Sequence, residues 1–167
     1  MATARTHRSY VSYIDKSREY YAAHGYGKPY GWLAHNDAPF TPLPKPLSEC
    51  KVGLLNTSYF LPEGFVYRVP QDLPRVPALA PRAELARLNN EYLSWAKDET
   101  HTGDLESYLP FAQMDAAVAA GRIGAVSDNA YCLPTQFSHR KTQKRDTPQI
   151  IEWLKADEVD VVLAVPL

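Results

Sequence analysis

Val159-Asp160-Val161-Val162-Leu163-Ala164-Val165-Pro166-Leu167 is an apolar run with one acid near its start and a proline near its end. Continuous Val, Leu and Ala over five to eight positions reads as a strand buried on both faces, the pattern of a parallel sheet. In such sheets ligands bind outside the carboxyl ends of the strands. The end of this strand is therefore where chemistry is expected. Just upstream, Thr147-Pro148 reads as a helix N-cap and first position, opening a helix through Ala156 with Ile150, Ile151 and Leu154 on its apolar side.

Further upstream the alternation repeats. Lys51-Val52-Gly53-Leu54-Leu55-Asn56-Thr57 predicts a first buried strand, and Ile123 to Ser127 a second. Leu109 to Ala120 predicts a helix with Pro110 in its first turn, Phe111, Met114, Ala117 and Val118 inward, and Gly121 as the stop. Pro81 to Ala96 predicts another helix, with Glu91 to Lys97 readable as a strand instead. Asp98 to Glu106 and Asp128 to Asp146 read as loops. Helices between short apolar strands predict an α/β fold: a parallel sheet with flanking helices, the half of a Rossmann- or flavodoxin-like architecture, with long Pro-rich connections. Three strands make a thin sheet, so part of it is expected elsewhere.

The N-terminal region differs. Ser9 to Ala23 has Tyr10, Tyr13, Ile14, Ser17, Tyr20 and Tyr21 at helical spacing, with Gly25 as a stop. Residues 25–48 carry Pro29, Pro39, Pro42, Pro44 and Pro46, which exclude a helix. The expected organisation is an arm over residues 1–50 and an α/β domain over residues 51–167, incomplete at its C-terminus.

Composition narrows the function classes. The chain has 167 residues, 45% hydrophobic and 22% charged, with a net charge of -1, which gives no drive toward nucleic acid or an anionic membrane. No apolar run approaches a membrane span, and no signal peptide is evident. The two cysteines suit a reducing cytoplasm and form no disulfide framework.

Candidate chemistry gathers at strand ends. Thr57 and Ser58 follow the first strand, where hydroxyls could bind a carboxylate or phosphate, or they form a plain strand-ending turn. Cys132 follows the second strand, as a redox thiol or as a small buried hydrophobe. His101, with Asp104 three residues on, reads as an acid/base pair or a solvated loop. No His or Cys stands at zinc-ligand spacing, so no metal is expected. There is no Gly-rich phosphate loop. His139, Arg140, Lys141, Lys144 and Arg145 form a basic cluster suited to an acidic partner or a phosphate, or to a solvated loop.

Three stretches together resemble one family. They are Tyr26-Gly27-Lys28-Pro29-Tyr30 with Pro39-Phe40-Thr41-Pro42-Leu43-Pro44-Lys45-Pro46-Leu47-Ser48-Glu49-Cys50-Lys51-Val52-Gly53-Leu54-Leu55-Asn56-Thr57; then Leu109-Pro110-Phe111 through Ala120-Gly121-Arg122-Ile123-Gly124; then Ile150 through Leu163. They look like the selenoprotein B family of glycine, sarcosine, betaine and D-proline reductases, nearest the D-proline reductase type. The resemblance implies a cytoplasmic oxidoreductase subunit that cleaves a carbon–nitrogen bond of a small amino acid. It implies a partner subunit bearing a pyruvoyl group, a dithiol electron donor, an oligomer, and no nucleic-acid or membrane partner. In that family a selenocysteine, or its cysteine counterpart, stands directly after the strand matching Val159 to Pro166. The expectation is therefore a chain cut at a selenocysteine codon read as a stop, inactive by itself. Asn56-Thr57-Ser58 stand where the family often has glycines. The rival expectation is a non-catalytic module that binds a partner through its aromatic helix and proline arms, or a small molecule at Thr57 and Ser58.

Overall fold

The computed structural model describes residues 12–27, 37, 41–93, 98–99, 103–135 and 138–167. The chain divides into two compact units, Met1–Thr41 and Pro42–Leu167, so the boundary falls before residue 50. Residues 42–50 belong to the second unit for physical reasons. Lys45 pairs with Asp160 at 2.8 Å, and the backbone of Glu49 lies against Gly124, where an added Cβ would come within 2.6 Å.

In the first unit, α1 spans Tyr13–Ala23. Ser12 caps it by accepting the Asp15 N–H at 3.3 Å. Gly25, in the left-handed region at φ 77°, follows its end. Tyr13, Tyr20 and Tyr26 are exposed. The expected residues Ser9 to Val11 lie outside the described residues.

The second unit is an α/β fold around a mixed, mostly parallel sheet. Its strands are β1 (Lys51–Asn56), β3 (Ala78–Pro81), β5 (Ala125–Cys132) and β6 (Val161–Val165), in the order β3-β5-β1-β6. β1 pairs in parallel with β5 and β6, while β3 pairs antiparallel with β5. A separate antiparallel pair joins β2 (Tyr59–Phe60) to β4 (Leu88–Asn89). Successive side chains of β1 point to opposite faces. Leu54 meets Ala80, Ala130 and Cys132 in a cluster with Tyr108, Leu109 and Phe111, the last opening α2 (Phe111–Ala119). Gly53 faces the other way. A Cβ there would meet Val159, Tyr131 and Leu154 at 3.0–3.2 Å, so a glycine lets α4 (Thr147–Ala156) and the chain after it approach the sheet. Helices thus cover both faces. No helix among the described residues is long and apolar enough to cross a membrane.

Several expectations are corrected. The sheet is not wholly parallel, because β3 arises at the end of a second proline-rich stretch, Leu61 to Pro81, and runs antiparallel at the edge, where Pro81 is tolerated. The region read as a helix from Pro81 to Ala96 holds a 3₁₀ turn over Arg82–Arg87, then β4. Pairing of Leu88 with Phe60 overrides the local helical preference. β5 runs through Asp128 to Cys132, which read as loop. Its register against β1 slips between Val52↔Val126 and Leu54↔Ala130, a bulge that takes in the polar residues Ser127, Asp128 and Asn129.

The expected loop before Thr147 is instead helical: α3 (His139–Lys141), capped by Ser138, runs through a π-helical segment (Thr142–Asp146) into α4. Thr147 is therefore not an N-cap. Pro148 has no N–H to give the Lys144 carbonyl, and its ring crowds that carbonyl, so widening the preceding turn accommodates it. Finally, β6 is not a buried central strand. Among the described residues it pairs only with β1, and Val162 and Leu163 are 39% and 40% exposed.

Candidate functional site

β1, β5 and β6 run in one direction and end together. Asn56, the last residue of β1, stands opposite Cys132 on β5 and Val165 on β6. This is the carboxyl edge at which α/β sheets bind ligands. Asn56 is fully buried on the same face as Leu54, so its amide must be satisfied internally. Its Oδ1 accepts the Ser58 N–H at 2.7 Å, and its Nδ2 lies 3.8 Å from Cys132 Sγ as a weak donor. The backbone continues the tie, with the Leu133 N–H donating to the Asn56 carbonyl at 2.8 Å.

The expected residues Thr57, Ser58 and Cys132 share this edge. Thr57 Oγ1 accepts the Leu167 N–H at 2.9 Å and donates to the Leu167 carbonyl at 3.1 Å. Ser58 is fully buried, and its Oγ makes no hydrogen bond. The Tyr108 phenol lies close enough to feel both Ser58 and Cys132. Burial pushes the phenol above its ordinary pKa, against an opposing influence from Ser58. Ser58 Oγ itself is buried without a hydrogen-bond partner.

Cys132 is fully buried, and burial pushes its thiol up to about 12, outweighing the opposing hydrogen bond from Asn56. At neutral pH it is a protonated thiol, not a nucleophile. The edge is a neutral, polar knot of thiol, amide and hydroxyls, with Asn56, Ser58 and Cys132 fully buried.

His101 lies outside the described residues. Asp104 caps a 3₁₀ turn over Leu105–Ser107, accepting the Glu106 N–H at 3.0 Å. Cys50 is buried before β1, at the opposite edge. Among the described residues there is no group of three or more His, Cys, Asp or Glu able to hold a metal. Asn56 and Tyr108 were not legible as site residues. One signal for Asn56 was present: it stands two positions after Leu54, so strand alternation turns its amide to the core face.

A second polar centre braces the bulge of β5. Asp157, just after α4, accepts from the Tyr131 hydroxyl at 2.5 Å, the Asn129 amide at 2.9 Å and the Ser127 hydroxyl at 3.4 Å. Burial raises its carboxyl, but these bonds and the nearby Lys51 charge win and leave it below the ordinary value. Tyr131 is correspondingly raised, first by burial and then by Asp157. This centre serves the fold, because Tyr131 is fully buried.

No protein-family model, curated protein or solved structure matches the chain.

Proposed function

We propose that the chain is a subunit, or the N-terminal part, of a selenol- or thiol-dependent amino-acid reductase of the selenoprotein B type. It cleaves a carbon–nitrogen bond of D-proline, glycine or a related amine, and its sheet is half of a Rossmann- or flavodoxin-like fold. The observation that carries the reading is the convergence of β1, β5 and β6 on one edge, with Thr57 fixing the backbone of Leu167. The three stretches that resemble the family run through this edge and both covering helices. The family's redox residue falls directly after Leu167, at a strand end where a following helix would lower the pKa of a thiol or selenol. Thr57 and Ser58 are the residues proposed to meet substrate. Cys132 and His101 are the chain's own candidates for a thiol and an acid/base group, and the neutral state of Cys132 leaves the attack to the family's redox residue.

Cleavage takes up two electrons and two protons, which a dithiol donor supplies as it becomes a disulfide. A pyruvoyl group on a partner subunit would hold the substrate amine. The assembly is cytoplasmic and oligomeric in this reading. The test is capture: a pyruvoyl-bearing subunit is expected to be retained by the immobilised chain from the lysate of its source cells, identified by the loss of its carbonyl on borohydride treatment. Absence of such a subunit overturns the reading. Turnover of D-proline or glycine with dithiothreitol by the 167-residue polypeptide overturns the assignment of the nucleophile.

The unpartnered Ser58 Oγ favours a second reading, a small-molecule-binding α/β module without redox chemistry. Thermal stabilisation of the 167-residue chain by small amino or hydroxy acids, lost in Ser58→Ala, is its expected signature. Absence of any such stabilisation removes it.

A further inference from the structure

The start of the helix after β5 carries a run of basic side chains with no acid among them. Elsewhere, several cations are neutralised: Lys45 by Asp160, Arg82 by Asp115, Arg87 by Glu84, Arg18 by Asp15. From Ser138 to Arg145 there is no acidic side chain. Arg140, Lys141 and Lys144 are exposed and make no ion pair among the described residues. Arg145 is bound otherwise: its Nε meets the buried Asp146, and its Nη2 donates to the Arg75 carbonyl at 3.1 Å. That second bond ties the helix to the segment leading into β3.

Four residues make about one turn in this helix, so Arg140 and Lys144 stand one above the other with Lys141 beside them. Like charges one turn apart repel. The fold tolerates that repulsion on an outer face, while the other side of the helix is anchored by Asp146 and Ile150. The helix begins six residues after β5, on the side where β1, β5 and β6 end.

We propose that Arg140, Lys141 and Lys144 form a docking face for an acidic segment of a partner protein. Charge complementarity names the occupant: three free cations over about 6 Å of helix match a run of two or three carboxylates. A nucleic acid is disfavoured, because the chain as a whole carries a net charge of -1 and no Phe, Tyr or Trp stands among residues 139–145 for a base to stack on. A membrane is disfavoured, because the apolar side of this helix is turned inward and not offered to lipid. The face is cationic whichever reaction the chain serves, so it stands or falls independently of the reductase reading.

The test is fluorescence anisotropy of a labelled hexaglutamate peptide with the full 167-residue chain. Binding is expected at low salt, weakening about tenfold or more between about 50 and about 500 mM NaCl. Arg140→Glu, Lys141→Glu and Lys144→Glu combined should abolish it with unchanged far-ultraviolet circular dichroism, and the triple Gln variant should weaken it comparably. No binding by the wild type, or equal binding by either folded variant, overturns the proposal. Displacement of the peptide by inorganic phosphate, a single-stranded oligonucleotide or phosphatidylserine vesicles at equal charge concentration also overturns it.

Discussion

Thr57 closes a two-way clasp on Leu167: one hydroxyl accepts the Leu167 N–H at 2.9 Å and gives its proton to the Leu167 carbonyl at 3.1 Å. A side chain just beyond β1 thus does for the end of β6 what ladder hydrogen bonds do within a sheet. The clasp also seats the Leu167 side chain against the apolar cluster of Tyr59, Leu73 and Leu93.

Thr57→Val keeps the shape and removes both bonds. It is expected to cost about 1–2 kcal/mol, since two backbone groups lose a part-buried partner. Urea denaturation gives the cost. Amide exchange at Leu167 should accelerate far more than at Leu54, and uniform acceleration would show that the clasp is not local.

Ser58→Ala should behave in the opposite way. Its Oγ is buried without a partner, so removing it is expected to be neutral or to stabilise by up to about 2 kcal/mol. A clear loss of stability would reveal a partner for the hydroxyl, with Tyr108 the first to examine.

Alkaline pH should weaken the fold. Burial holds the Cys132 thiol up to about 12 against an ordinary 9.0, so the native state keeps a proton that the unfolded chain releases. The stability this thiol contributes is full below pH 9.0 and is lost as pH rises toward about 12. Tyr131 and Tyr108, also raised by burial, act with the same sign at higher pH. The limiting slope is about 1.4 kcal/mol per pH unit for each group. Denaturant midpoints from about pH 8 to about pH 10.5 should fall in the wild type and fall less steeply in Cys132→Ala. Equal slopes would remove Cys132 from the linkage.

Asp157→Ala strips the Tyr131 hydroxyl of its strongest acceptor inside the sheet and frees the bulge of β5. A loss of about 2–3 kcal/mol is expected, with Asp157→Asn intermediate. Thermal unfolding of the two variants side by side gives the order, and an unaltered midpoint in the Ala variant would show that the brace carries no weight.

Glu158 sits at φ 54°, a left-handed position at the end of α4 where its N–H and that of Val159 return to Lys155 and Leu154. Glycine takes that conformation without the Cβ penalty. Glu158→Gly should therefore stabilise by about 0.5–1 kcal/mol, visible as a higher midpoint. A lower midpoint would mean that the glutamate side chain carries an interaction of its own.

Two of the three parallel strands, β1 and β6, were legible because their signals are local. The apolar runs at Val52 to Leu55 and Val161 to Val165 are strands, and Phe111 to Ala119 is a helix, as their periodicity predicts. What escaped was set by distant partners. β3 lies within a proline-rich stretch and exists because Ala78 to Pro81 finds β5. The polar residues Asp128 and Asn129 read as a loop because the brace of the bulge, Asp157, lies 28 positions beyond Asn129 in sequence. Pro148 looked like a helix start because only the structure shows a helix widening ahead of it. At the edge, the positions of Thr57, Ser58 and Cys132 followed from where strands end. Asn56 and Tyr108 did not, since burial of a polar group depends on what covers it.

The central place of β1 sets a clock on synthesis. Its neighbours come late: Asn56 waits for Cys132, 76 positions on, and Thr57 for Leu167, 110 positions on. At about 5–20 residues per second, β1 leaves the ribosome roughly 5–22 s before both flanking strands have been made. For that interval an apolar segment with two open edges is a client for chaperones, and non-local pairing of this kind closes slowly even afterwards. The yield of folded protein should therefore respond to translation speed between codons 56 and 165 more than to the sequence of β1 itself.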